Sequence, residues 1–172
     1  MERNELRAIQ APLKERYRDE PEAAVVTLSA SGALGEGVSC SVQTGRALAA
    51  AGLHPASGGD GSLLCSGDML LEALVACAGV TLRAVATSMG IELRSGTVTA
   101  EGDLDFRGTL GVDRGAPVGF AAIRLGFDLD TDAPADQVAK LIELTERYCV
   151  VLQTLARGPK LDVTLERAAT TA

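Results

Sequence analysis

Tryptophan is absent from this sequence and histidine occurs once, at His54. Aromatic residues make up only 3% of the 172 positions, too few for the stacking platforms that hold single-stranded nucleic acids. Positive charge is also scarce. Sixteen Lys and Arg stand against twenty-three Asp and Glu, a net charge of −7, and the densest basic cluster is the mixed-sign Lys14-Glu15-Arg16. Phosphate contacts need a cationic face, so the sequence argues against nucleic acid and against anionic membrane surfaces as partners. The longest near-apolar run, Met69 to Leu82, contains Glu72 and falls short of the roughly 20 residues that span a bilayer. Met1-Glu2-Arg3-Asn4-Glu5 lacks the basic-then-apolar layout of a signal peptide. The expectation is a cytoplasmic protein.

Motif absences narrow the chemistry. The four cysteines, Cys40, Cys65, Cys77 and Cys149, are spaced by 25, 12 and 72 residues, and no C-x-x-C occurs. A structural zinc site wants paired ligands at short spacing, so no metal is expected, and nothing calls for a cofactor. No G-x-S-x-G occurs, and His54 sits in the loop His54-Pro55-Ala56-Ser57-Gly58-Gly59-Asp60-Gly61. A lone loop histidine is usually solvated, which leaves a hydrolase without support. The glycines of that loop fit neither phosphate-binding pattern.

What is present suits a single folded body. Apolar residues make up 47% of the chain, enough to bury one core and too many for disorder. Residues 1–21 read as a partly helical leader interrupted by Pro12, packing on the body or on a partner. Ala24 to Ser31 carries Val26, Leu28 and Ala30 at the period of a strand. Across a glycine-rich turn, Val38, Cys40 and Val42 form the return strand of a hairpin. Cys40 then points with the valines as a small buried hydrophobe.

Ser66 to Met89 is the strongest helix, with Ser66 as N-cap, Asp68 in the first turn and Gly90 as the stop. Leu70, Leu74, Cys77 and Thr81 share one face, beside a second apolar stripe, so the helix is central. Thr97 to Phe106 and Ile123 to Leu129 alternate as two adjacent antiparallel strands. A second helix follows Thr131-Asp132-Ala133-Pro134, with Asp132 as cap and Val138, Leu141, Ile142, Thr145, Cys149 and Leu152 as its buried face. It ends at Gly158-Pro159. Leu161, Val163 and Leu165 form a last strand. Segregated elements of this kind indicate an α+β fold with helices against antiparallel sheet.

Cys77 and Cys149 therefore lie on the buried faces of the two main helices. Either is simply a core residue, or the packed helices bring the two thiols within bridging distance for redox chemistry. Ser66-Gly67-Asp68-Met69-Leu70-Leu71-Glu72-Ala73-Leu74-Val75-Ala76-Cys77, followed by Thr81-Leu82-Arg83, resembles the first-cysteine helix of OsmC-like proteins, P-x-E-L-L-x-A-A-L-x-A-C leading into T-L-R. Glu146-Arg147-Tyr148-Cys149-Val150-Val151-Leu152-Gln153-Thr154-Leu155 is similar to that family's E-R-Y-C-P-V-x-Q-T-L. The two motifs stand in the family's order, and the resemblance covers residues 22–166, leaving 167–172 as a tail.

The resemblance implies an OsmC-like fold, with antiparallel sheets packed on two central helices in an intertwined homodimer. It also implies hydroperoxide reduction, in which Cys77 becomes a sulfenic acid, Cys149 condenses with it to a disulfide, and an external dithiol restores the pair. An apolar rim would favour organic peroxides over hydrogen peroxide. A thiol of reference pKa about 8.5 needs help to ionise at neutral pH. In the family this comes from an arginine of an early strand, held by a glutamate at the start of the first-cysteine helix.

Asp68 matches that glutamate. No arginine stands in the first hairpin, where Ser31-Gly32-Ala33-Leu34-Gly35 replaces the usual G-G-R, and Arg46 is the nearest substitute. Val150 replaces the family's proline after the second cysteine, and Ser66-Gly67 its proline start. Cys65 is a remote alternative resolving thiol. A non-catalytic OsmC-like dimer that binds a small apolar or thiol-reactive ligand is the alternative function.

Overall fold

The computed structural model describes residues 3–34, 40–42 and 51–165. In chain order the elements are α1 (Arg3–Asp19), β1 (Val25–Leu34), β2 (Cys40–Val42), β3 (Ala51–Gly52), β4 (Leu64–Cys65) and α2 (Ser66–Met89). They continue with β5 (Ser95–Asp105), α3 (Phe106–Thr109), β6 (Phe120–Asp130), α4 (Ala135–Tyr148) and α5 (Val150–Arg157). Four strands form one antiparallel sheet in the order β2-β1-β5-β6. A separate pair, β3 and β4, is parallel, with Gly52 beside Cys65.

The alternation in β5 and β6 does what its period dictates. Val98, Ala100 and Gly102 face inward and are buried, while Thr97, Thr99 and Glu101 face out. The outer face carries charge in pairs. Arg124 reaches Asp103 at 2.6 Å and Glu101 at 3.3 Å across the two strands, and Thr27 from β1 donates to Asp103 at 2.7 Å.

Helix α2 lies on the inner face. Leu71, Leu74, Val75 and Ala78 have no exposed surface and close over Val98 and Ala100 of β5, with Cys149 completing the same cluster. Further along, Leu82 and Ala86 meet Leu141 of α4. By length and apolar character α2 is able to cross a membrane; its inward stripe is instead occupied by the sheet and by α4 and α5. Its outward side is not covered in the single chain, where Met69, Leu70 and Val80 are each more than a third exposed. Gly90 ends the helix at φ +69°, a left-handed conformation that glycine takes without strain, and its N–H returns to Ala86 and Thr87.

Several sequence expectations need correction. Cys65, not Ser66, is the cap residue of α2, and Ser66 is already helical. Pro12 does not interrupt α1, which runs through it; the cost is one missing internal N–H. Pro134, not Asp132, precedes α4, which begins at Ala135; the Asp132 carboxylate bonds Arg94, which also holds Asp130. The second helix is two helices, broken at Cys149. Residues 161–165 form no strand, and Leu161, Val163 and Leu165 are 82%, 96% and 80% exposed. The four-residue helix α3 was not foreseen.

The leader packs on the body. Tyr17, 3% exposed, donates its hydroxyl to the Ala56 carbonyl at 2.8 Å, and Gln10 reaches the Ser57 carbonyl at 3.2 Å. Tyr17 shares a small core with Ala24, Phe106 and Leu110. The loop beneath is tight. A Cβ on Gly59 would lie 1.7 Å from the Leu53 carbonyl oxygen, so no other residue fits there.

Candidate active site

Cys77 sits in the middle of α2, half-buried, on the side that meets the junction of α4 and α5. At that junction the backbone leaves the helix for one residue. Cys149 has φ −70° and ψ 105°, its N–H bonds the Thr145 carbonyl at 2.9 Å, and its carbonyl accepts the Gln153 N–H at 2.9 Å. It therefore closes α4 and opens α5. The Gln153 side chain reaches back to the Glu146 carbonyl at 2.8 Å and ties the two helices across the break.

A helix start has main-chain N–H groups without internal partners. Here those of Val151 and Val150, at the start of α5, favour the thiolate of Cys77. The Cys149 thiol and the Thr81 hydroxyl, one turn further along α2, act in the same direction. Burial pushes the Cys77 thiol up, but the four donors together outweigh it, and the group lies below its ordinary value. Cys149 moves the other way. Burial raises it first, and donating to a charged Cys77 raises it further, against the pull of the Leu152 and Val151 N–H groups. Two thiols of one packed core are thereby made unequal. Cys77 is the acidic, reachable one; Cys149, with no exposed surface, is its protonated neighbour.

The surroundings are apolar. Leu74, Val75, Ala78 and Val98 pack around the pair, with Phe120, Leu125, Val151 and Leu152 beside them. A groove between β6 and α5 continues this lining, through Ile123, Phe127 and Leu155. Among the described residues, no group of three His, Cys, Asp or Glu is placed to hold a metal ion.

The other sequence candidates are not gathered here. Asp68 stands nine residues before Cys77, about 13 Å away along the helix axis. Its carboxyl is held above the usual range by burial. Arg46 lies outside the described residues. Cys65, twelve residues before Cys77, is about 18 Å along the axis, beyond the Cα separation of any disulfide. It ends a strand rather than lying in a loop. The side chain of Cys40 is also outside the described ones.

His54 is not a solvated loop residue. It is half-buried, stacks on Phe106 with ring centroids 5.1 Å apart, and its Nδ1 accepts the Ala56 N–H at 3.0 Å. That makes it a cap for the turn Pro55–Ser57. With Nδ1 committed to a main-chain amide, nothing here resembles a histidine-activated nucleophile.

Sequence reasoning did not assign the roles of Thr81, Gln153 and the Val150 and Val151 amides. Thr81 could have been found, since it follows Cys77 by four positions and so shares its face. The amides had no signal, because the break that aims them was not legible.

Comparison with known proteins agrees with this architecture. A crystal structure of an OsmC-like hydroperoxide resistance protein from Jannaschia sp. CCS1 superposes with a TM-score of 0.61 at 18% identity, covering 86% of this chain and 97% of that one. An OsmC-like protein from Mycoplasma pneumoniae gives a TM-score of 0.55 at 15% identity, covering 78% and 86%. At these identities the likeness is one of fold. No protein among curated ones matches the chain. The family model described as OsmC-like protein matches residues 59–164, a span that holds both cysteine helices, and the chain belongs to the OsmC-like family.

Proposed function

We propose that this protein reduces organic hydroperoxides with Cys77 as the attacking thiolate and Cys149 as the resolving thiol. The observation that carries the proposal is the inequality of two thiols packed in one core: Cys77 partly exposed and favoured as thiolate, Cys149 buried and held protonated. The Cys77 sulfur attacks the outer oxygen of R–O–O–H, the O–O bond breaks, and the alcohol R–OH leaves. Cys77 is oxidised to sulfenic acid. The Cys149 sulfur then displaces the hydroxyl, which departs as water, and a Cys77–Cys149 disulfide forms. An external dithiol reduces it by exchange, a requirement that fits a reducing, cytoplasmic setting.

Two features support the finer points. The apolar lining of Phe120, Leu125 and Leu152 suits an organic rather than a hydrogen peroxide. Leu161, Val163 and Leu165 alternate as a strand does while standing almost fully exposed, and α2 leaves Met69, Leu70 and Val80 uncovered. Both surfaces fit a second copy of the chain, so the working form is inferred to be a homodimer. Light scattering should return twice the chain mass.

The direct test is intact mass after one equivalent of an organic hydroperoxide. Wild type should lose two hydrogens, Cys77→Ser should not react, and Cys149→Ser should stop at an oxidised Cys77. A wild type that stays unchanged would overturn the peroxidase reading. Ligand-dependent melting without thiol loss would then favour a non-catalytic dimer that binds a small apolar or thiol-reactive molecule.

A further inference from the structure

No proline stands at the break between α4 and α5, where the chain reads Tyr148-Cys149-Val150-Val151. The spacing of Leu141, Thr145, Cys149 and Leu152 suits one continuous helix. In such a helix the Val150 N–H would bond the Glu146 carbonyl, four residues back. In the structure that carbonyl accepts the Gln153 side-chain amide, at 2.8 Å. Gln153 also gives its main-chain N–H to the Cys149 carbonyl, at 2.9 Å. Of the described side chains, it alone joins α4 to α5 by a hydrogen bond.

The break lies in one torsion. Cys149 has φ −70°, an ordinary helical value, but ψ 105° in place of about −42°. Rotation about ψ leaves Cys149 where α4 puts it and swings α5. With that swing Val151, Leu152 and Leu155 lie on the core cluster that holds both Cys77 and Cys149. Cys149 has no exposed surface there. Straightening would lift this cover and return the Glu146 carbonyl to Val150.

We propose that Gln153 is a positioning residue for disulfide closure: by occupying the Glu146 carbonyl it keeps the chain broken at Cys149 and α5 folded over the thiol pair. This role rests on the reading of Cys149 as the resolving thiol. A disulfide closes only within a narrow range of Cα separations, so a cover that confines Cys149 beside Cys77 raises the effective concentration of one thiol at the other. Closure forms the S–S bond, breaks the S–O bond of the Cys77 sulfenic acid and releases water. A second hydroperoxide competes for that sulfenic acid, oxidising it to sulfinic acid and leaving as its alcohol. Gln153 weights the race towards closure.

The test is the equilibrium of the whole chain with oxidised and reduced glutathione, read by peptide mass after acid quench. One oxidised glutathione takes two electrons and the two thiol protons from Cys77 and Cys149, giving the protein disulfide and two reduced glutathiones. Gln153→Met keeps the side-chain length and loses the donor. It should lower the equilibrium constant for the Cys77–Cys149 disulfide by roughly three- to ten-fold, the effect of one hydrogen bond.

Adding Val150→Pro to Gln153→Met should restore the constant. Proline is tolerated at the first helical position, has no N–H to return to Glu146, and holds the residue before it extended. In the wild-type background, where the break is already held, the same proline should raise the constant by less. A merely structural loss would not be rescued this way, because proline cannot replace the Gln153 bond. A Gln153→Met constant equal to wild type would overturn the proposal, as would a proline effect of the same size in both backgrounds. Circular dichroism checks the fold. If the double variant misfolds, Gln153→Lys, a donor of similar reach, must keep the wild-type constant; a constant at the Gln153→Met value overturns the proposal. No peroxide enters the measurement. A wild type inert to hydroperoxide sinks the peroxidase reading, whereas the glutathione equilibrium decides the role of Gln153.

Discussion

Two polar clusters, one in the corner by the His54 loop and one around the middle of α2, use their polar groups differently. In the corner formed by α1, α3 and the His54 loop, every named group has a fixed match. Asp105, 7% exposed, accepts the Arg107 N–H at 3.0 Å and the Arg107 guanidinium at 2.6 Å. The Tyr17 hydroxyl has the Ala56 carbonyl, and His54 has the Ala56 N–H. Around Cys77, by contrast, the Val151 and Val150 amides, the Cys149 thiol and the Thr81 hydroxyl all favour the charged form of one thiol. A cluster in which each acceptor meets its donor holds shape. A cluster that favours a thiolate fits the reactive role proposed for Cys77.

The sharpest way to break the contrast is Cys77→Ser. Peroxide consumption should vanish while the melting temperature barely moves, measured by a peroxide assay beside a thermal scan. Asp105→Asn should do the reverse. Losing a charge-assisted pair in a nearly buried site costs about 2 kcal/mol, visible as a lower urea mid-point, with the Cys77 alkylation rate unchanged. Its pH dependence sharpens the point. Hydrogen bonding to Arg107 holds the Asp105 carboxyl below its usual range. Its stabilisation is therefore complete above the unfolded carboxylate pKa and is lost as pH falls through the folded value. Wild type should lose melting temperature in acid more steeply than Asp105→Asn.

Thr81→Val removes one donor of the four. Labelling of Cys77 at neutral pH should slow by a few-fold, about 1 kcal/mol or less, without any stability loss beyond that of the lost hydroxyl. Of similar size, but in stability alone, is Tyr17→Phe, which deletes one bond to a loop carbonyl. It should cost about 1 kcal/mol in denaturation and leave both thiols untouched.

The contrast also shows what a sequence can carry. The bounds of α2 were legible because its apolar spacing runs unbroken from Leu70 to Val85 and Gly90 stops it. β5 and β6 were legible because each alternates cleanly between apolar and charged positions. The break at Cys149 was not. Leu141, Thr145, Cys149 and Leu152 keep helical spacing straight through it, and Val150 is no helix breaker. Residues 161–165 misled for a related reason. Alternation announces a face that needs covering, but it does not say that the cover comes from the same chain. The pairing of Cys77 with Cys149 came from the two motifs. The difference between the two thiols follows from their unequal burial and from amides that no side-chain pattern records.

That difference is tested most directly by following alkylation of every cysteine against pH in the native protein, resolved by peptide mass. Cys77 should label first, with a mid-point below the reference thiol value of about 8.5, and Cys149 should label last, with a mid-point above it. Equal mid-points, or Cys149 reacting ahead of Cys77, would contradict the division of labour proposed for the pair.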